Sequence, residues 1–225
     1  MDKDLFSQKG NKMIDNTNLI KEKLLNFKDP ADFYVCHVIQ RAKDKRANGT
    51  LNPGDTRDEG QRLIKTWYVD SMDYFERKLP IMKEIADANH ARLYFMPQVR
   101  NKLTVNRVLA KAIVDAIDEP ALRYDHLIRT AVCGCHASRD KRWILDVDDE
   151  LMNGDHVKAR ELADAYTSDI YTWWIHTHGD GKDYFELIYE TRNGWGVVVK
   201  PFDVRIIPSD KILLKDAMML AYCGF

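Results

Sequence analysis

The period of the apolar pattern changes several times along this chain, and that alternation limits the folds open to it. Residues 32–40 and 63–69 are rich in aromatic and β-branched side chains, which favours two strands joined by a long loop. Apolar residues recur at helical spacing in residues 71–88 and 104–117, and a short apolar strand candidate, residues 91–96, lies between them. The sequence therefore predicts a mixed α/β fold, a compact core with a mixed sheet flanked by helices.

The remaining segments fit the same class. Residues 1–15 are polar and aperiodic, which predicts a flexible lead-in, and residues 16–225 are interpreted as a single domain without internal repeats. Further helices are predicted at residues 16–27, 120–132 and 157–171, and further strands at residues 143–148, 184–189, 196–200, 212–214 and 218–222.

Composition excludes several classes of protein. The chain has 34 Lys and Arg against 35 Asp and Glu, so its formal charge of −1 excludes a bulk polycation. No apolar run approaches the roughly 18 residues of a membrane span, and the first residues lack the apolar core of a signal peptide. We therefore expect a cytoplasmic protein without a membrane partner and with reduced cysteines.

An acidic motif carries the strongest chemical signal. Asp146 and Asp148 stand two residues apart on an apolar strand, so strand alternation directs both to the same face. Paired carboxylates suit Mg²⁺ or Mn²⁺, which keep waters and phosphate oxygens as their other ligands. The alternative is a strand that runs into a solvated acidic turn, because short Asp-x-Asp matches are common.

Two later segments could complete a site. In residues 190–203, the Asn193-Gly194 pair is expected to turn the chain into a β-branched strand, where Arg192 and the backbone could meet phosphate. In residues 211–222, the charged pair Lys215-Asp216 separates two apolar runs, and a tight turn is the simplest explanation of that pattern.

Taken in order, these three segments resemble a known family. The first is a strand that ends in Asp-x-Asp, the second is an Asn-Gly turn into a strand that ends in Lys-Pro-Phe, and the third is a terminal apolar segment with an acid. This order resembles small stand-alone phage and bacterial proteins of the archaeo-eukaryotic primase superfamily. Residues 89–95 with the following Arg100, and the early strand from Asp32, look like the corresponding upstream parts. The resemblance spans roughly residues 30 to 223.

The resemblance implies a primase-polymerase-like core that binds a nucleoside triphosphate and a divalent metal. It implies metal-binding, catalytic roles for Asp146, Asp148 and Asp216, with Asp210 as the alternative third acid. Position places Arg192, Asn193 and Lys200 as nucleotide or phosphate contacts. The second motif departs from the family, because Gly196 stands where a member would commonly have a histidine, and His176 or His178 could replace it only if the fold brings one near the acids.

A zinc site is a further hypothesis. Cys133, Cys135 and His136 offer three soft ligands within four residues, but zinc usually takes four ligands from two clusters. Candidates for the fourth ligand are Cys36, Cys223, His176 and His178. The alternative is that these are small buried thiols.

The predicted function is metal-dependent nucleotidyl transfer in DNA replication or repair, beside a helicase or other replication proteins. Basic runs at residues 41–46 and 139–142 could bind nucleic acid locally, or simply form a solvated surface. The rival function is a catalytically degenerate relative that binds nucleic acid or a replication protein. An aspartate-nucleophile phosphatase also begins with Asp-x-Asp, but position 150 is Glu where that class has Thr, and the motif lies two-thirds along the chain.

Overall fold

The computed structural model confirms the mixed α/β class and divides the strands between two sheets. It describes residues 12–47, 49, 61–118, 123–135, 141–181, 184–207, 213–214 and 218–225. Every pairing between the described strands is antiparallel, where the sequence had suggested a mixed sheet. Antiparallel sheets can keep one face open, and here an open face is used to build a cleft.

The first sheet has five strands in the order β1-β9-β4-β2-β3. The predicted hairpin of β2 and β3 is confirmed, with Cys36 opposite Trp67. The strands are β1 Ile14–Asp15, β2 Asp32–Gln40, β3 Arg62–Val69, β4 Arg92–Asn101 and β9 Met219–Cys223.

The second sheet has four strands in the order β6-β7-β5-β8. Its centre is the acidic strand, in which Asp146 pairs with Gly196 and Asp148 with Gly194 of the neighbouring strand. The strands are β5 Trp143–Asp148, β6 Glu186–Thr191, β7 Gly194–Val199 and β8 Leu213–Leu214.

Six α-helices are present in the described ranges. They are α1 Thr17–Leu19, which continues as a π-helix through Leu24, α2 Ala42–Ala47, α3 Met72–Ala88, α4 Lys102–Asp115, α5 Tyr124–Gly134 and α6 His156–His178. None of the helices described has the length and apolar composition that a membrane crossing requires.

Helices cover one face of each sheet. Ser71 caps the start of α3, because its hydroxyl accepts a hydrogen bond from the backbone amide of Tyr74, and the helix buries Phe75 and Met82 in a core shared with the first sheet. Asp155 precedes α6 and caps its first turn by accepting hydrogen bonds from two backbone amides, and the helix packs Ala159 and Ala163 behind the second sheet. Small alanine side chains let the helix lie close to the strands.

Because side chains alternate along β5, this strand contributes to two cores, one beneath α6 and one shared with the first sheet. Leu145 and Val147 point backward into the core beneath α6, while Ile144 points forward into the core of the first sheet. Asp146 and Asp148 share the forward face with Ile144, so the fold directs both carboxylates into the space between the two sheets.

Some sequence expectations need correction. Ile14–Asp15 pairs with Tyr222 and Cys223, so the lead-in prediction is wrong for these two residues, while residues 1–11 lie outside the described ranges. Helix α6 extends to His178 and ends at Gly179 with a φ of +82°, so it continues seven residues beyond the predicted end at residue 171 and includes His176 and His178. On α4, the expected apolar face buries Val105 but leaves Ile117, just beyond the helix, exposed.

Candidate functional site

A cleft with a volume of about 350 Å³ lies between the free face of the first sheet and the forward face of the second. The first sheet contributes residues of β2, β4 and β9, and the second contributes β5, β6 and the turn that joins β6 to β7. Apolar side chains from both sheets line its interior, including Ile39, Ile144 and Leu220. Charged side chains from both sheets line the same cleft.

One wall of the cleft carries the two acids predicted from the sequence. Asp146 is partly buried and Asp148 is exposed, and their Cα atoms are separated by about 7 Å for residues two apart on a strand. Burial and the neighbouring charge of Asp148 raise the pKa of Asp146, although Arg41 and Lys43 oppose the shift. A site that disfavours two adjacent negative charges is one in which a bound cation would relieve repulsion.

Four basic side chains face the same cleft, namely Arg41, Lys43, Arg92 and Arg192. Three come from the first sheet and its α2 connection, and Arg192 comes from the two-residue turn between β6 and β7. These cations and the carboxylates line one cavity, so the cleft presents both signs of charge to a ligand. The arrangement can accept a metal ion and an anion side by side.

Asp44 engages one of these four cations fully. Its carboxylate accepts hydrogen bonds from Nε of Arg92 at 2.8 Å and from Nη2 at 2.5 Å, and both side chains are buried. Nη1 of Arg192 lies 3.4 Å from the same carboxylate. Arg92 is therefore held as a structural ion pair, whereas Arg41, Lys43 and the more exposed Arg192 are better placed to meet a ligand.

Lys43 connects the two walls of the cleft. With the amide of Asn193 oriented so that its oxygen faces the lysine, Nζ of Lys43 donates to it at 3.2 Å. Burial, with Arg92 and Arg41 nearby, lowers the pKa of Lys43 to about 8, against the opposing influence of Asp44 and Asp148. An anion bound beside Lys43 would favour its charged form.

Position 196, where the family resemblance calls for a histidine, has no room for a side chain. Gly196 lies opposite Asp146, and a Cβ at this position would sit 2.1 Å from Cζ of Tyr189. The buried ring of Tyr189 fills that space, and burial together with the charge of Asp146 raises its pKa well above the ordinary value. A tyrosine from the adjacent strand thus takes the place beside the acids.

The structure does not bring every predicted residue to the cleft. Lys200 follows the far end of β7, four residues and about 14 Å along the strand direction from Gly196. His176 and His178 lie at the opposite end of α6 from His156, about 30 Å along the helix, so neither replaces the missing imidazole.

The third acid cannot be placed in the cleft, because Asp216 and the alternative Asp210 lie outside the described residues. Among the residues that are described, no three His, Cys, Asp or Glu side chains form a metal-binding group. The carboxylates that fit a divalent ion in the described cleft are therefore Asp146 and Asp148, a number that suits Mg²⁺ when phosphate and water complete its shell.

The cysteines are dispersed. Cys36 and Cys223 are buried in strands of the first sheet, and burial raises the pKa of Cys36 to about 12. Cys133 is exposed and Cys135 is buried at the end of α5, while His136 lies outside the described residues. The zinc hypothesis gains no further ligand from the described part of the fold.

Sequence reasoning missed most of the basic wall and the role of Tyr189. Arg41 and Lys43 belong to a basic run that was interpreted as a nucleic-acid contact or a solvated surface, and not as part of this site. Arg92 carries a local signal, an isolated charge at the start of an apolar strand, which often marks a buried pair. Tyr189 has no such signal, because its position depends on the glycine of the neighbouring strand.

Comparison of the chain with protein-family models, with curated proteins and with solved structures finds no match. The family resemblance therefore depends on the residues quoted above, and the function is argued from the geometry of the cleft.

Proposed function

We propose that the cleft binds a divalent metal ion together with a nucleoside triphosphate, and that the protein is a primase-polymerase-like nucleotidyltransferase of DNA replication or repair. The observation that supports this proposal is the sharing of one cavity by Asp146 and Asp148 with Arg41, Lys43 and Arg192. Carboxylates suit the hard cation and the basic side chains suit the phosphates, so the two sets match the two halves of a metal–triphosphate complex.

The roles of the protein groups follow from their positions. Asp146 and Asp148 would hold Mg²⁺ or Mn²⁺, and when bound the metal would neutralise phosphate charge and activate the attacking 3′-hydroxyl. Arg41, Lys43 and Arg192 would bind and orient the phosphates. Asp44 keeps Arg92 engaged and holds it against the wall of the cleft. Lys200 is not part of this set, and Asn193 acts through Lys43.

The test is calorimetric titration of Mn²⁺ with a nucleoside triphosphate, followed by primer extension on the same samples. Wild type is compared with the double variant Asp146→Asn/Asp148→Asn. A matched control, Asp73→Asn/Asp169→Asn, removes the same charge from exposed positions on α3 and α6. We expect the cleft variant alone to lose metal-dependent binding and extension. Equal binding by all three proteins would refute the proposed site.

A second candidate is a degenerate relative that binds nucleic acid or a replication protein without catalysis. It is favoured by the replacement of the expected histidine by Gly196 and the ring of Tyr189. The same experiment separates the two candidates. Metal–nucleotide binding without primer extension would favour the degenerate relative, whereas extension that requires both aspartates would exclude it.

A further inference from the structure

We propose that His156 is a positioning residue that fastens the acidic strand to the basic turn from the rear of the second sheet. This inference rests on the proposed function for its consequence in the cleft, but its structural basis is independent. His156 is the first residue of α6, and it lies on the face of the sheet opposite Asp146 and Asp148. It therefore cannot be a ligand of the metal or the nucleotide, and any effect it has must pass through its neighbours.

The imidazole of His156 contacts residues of β6 and β7 and the residue that follows β5. Its ring stacks on Trp195 of the central strand β7, with centroids 5.0 Å apart and planes inclined by 30°. Nδ1 forms a hydrogen bond of 2.9 Å with Oδ1 of Asp149, the residue after β5, whereas Nε2 lies 3.2 Å from Oε1 of Glu190 on β6, within ion-pair distance but without hydrogen-bond geometry. Nε1 of Trp195 donates to the carbonyl oxygen of His156 at 3.1 Å. One side chain thus ties the ends of three strands together.

Both carboxylates that contact the ring stand next to residues of the cleft. Asp149 follows Asp148, and Glu190 precedes Thr191, which lines the cleft. Because neighbouring residues on a strand face opposite ways, fixing a side chain at the rear fixes the direction of the next one at the front. The backbone adds a direct link, since the amide of Asp149 donates to the carbonyl oxygen of Asn193 at 2.6 Å.

The contacts of His156 with Asp149, Glu190 and Trp195, the His156 clasp, have a function if the cleft binds a metal–triphosphate complex. Asp148 and the turn with Arg192 come from different strand ends, and each strand end can fray by itself. A metal–phosphate ligand requires the carboxylate and the guanidinium at a fixed separation, and displacement of about 1 Å is enough to weaken such a site strongly. His156 holds the separation constant without occupying the cleft.

Three substitutions of His156 divide its contacts. His156→Ala removes both polar contacts and the stacking. His156→Asn retains a donor near the place of Nδ1, so it keeps the link to Asp149, whereas His156→Gln places a donor on the side of Glu190 and loses the link to Asp149. The matched control is His178→Ala on the last turn of α6, where the ring is exposed and stacks on Trp174.

The first measurement is amide hydrogen exchange in the folded protein, which does not depend on any ligand. His156→Ala should raise exchange at Asp149 and Trp195 by about ten-fold or more, with the amides of β2 unchanged, because opening is local to the strand ends. His156→Asn should restore slow exchange at Asp149. Unchanged or uniformly faster exchange in His156→Ala would overturn the clasp.

The second measurement is the affinity for Mn²⁺ with ATP. We expect about a ten-fold loss in His156→Ala, partial rescue in His156→Asn, and no change in His178→Ala. Wild-type affinity in His156→Ala would overturn the positioning role. If the wild type itself binds no Mn²⁺ with ATP, the proposed function fails, and the exchange measurement still decides whether His156 holds the strands.

Discussion

The buried ion pair between Asp44 and Arg92 should be among the most sensitive points of the fold. The exposed fractions of the two side chains are 3% and 5%, and two hydrogen bonds join them. Asp44→Asn keeps the shape and one acceptor but removes the charge that compensates the guanidinium. Breaking a buried pair costs about 3–5 kcal/mol because an uncompensated charge stays in the interior. We expect a loss near the lower end, about 3 kcal/mol, since the amide oxygen retains one hydrogen bond.

Urea unfolding monitored by circular dichroism measures this loss, and thermal unfolding provides a second readout. For a chain of this length the midpoint temperature should fall by about 6–12 °C, at roughly 2–4 °C per kcal/mol. The matched control is Asp73→Asn, which breaks an ion pair with Arg77 on the surface of α3, where both side chains are mostly exposed. That substitution should cost less than about 0.5 kcal/mol.

A double-mutant cycle then tests the cause of the loss. Arg92→Met removes the buried cation, so Asp44→Asn/Arg92→Met leaves no uncompensated charge in the pair. The double variant should lose clearly less stability than the two single variants combined. Strictly additive losses, or a loss below about 1 kcal/mol in Asp44→Asn, would refute the argument that the charge of Asp44 stabilises buried Arg92.

Three further predictions follow from the neighbouring residues. Gly196→Ala should lower the free energy of unfolding by about 1–3 kcal/mol in urea, because its Cβ would clash with the ring of Tyr189. Adding Tyr189→Leu to this variant should recover part of the lost stability. An unchanged midpoint in Gly196→Ala would contradict this packing. Burial lowers the pKa of Lys43 to about 8, so the affinity for Mg²⁺ with ATP should fall as the pH rises through that value. Lys43→Arg stays charged, so calorimetry should show a flatter dependence of its affinity on pH. Identical pH profiles for wild type and variant would count against Lys43 as a phosphate contact. Burial and the nearby Arg100 lower the pKa of His37 to about 4, so on acidification the imidazole binds a proton in the unfolded chain before it does so in the folded one. The free energy of unfolding should therefore be at its full value above about pH 6.5 and fall by at most about 3 kcal/mol as the pH drops toward 4. His37→Asn should remove that part of the pH dependence of unfolding, and a variant that loses stability with acid as steeply as wild type would argue against His37 as its source.

Alternation within one strand made half of the site predictable. The apolar pattern of β5 fixed which residues share a face, and it placed Asp146 and Asp148 together without any knowledge of the rest of the fold. The opposite wall was not predictable in the same way. Arg41 and Lys43 lie about a hundred residues earlier in the chain, and their meeting with β5 depends on how two sheets pack, which no local pattern encodes.

The errors have equally local causes. Lys200 was proposed as a phosphate contact from its position in the chain alone, but it follows β7 at the end of the strand remote from the acids. The predicted helix ended at residue 171, whereas α6 continues until Gly179 adopts a positive φ. On α4 the apolar period is real, but the helix lies at the rim of the fold, where Val108 stays exposed.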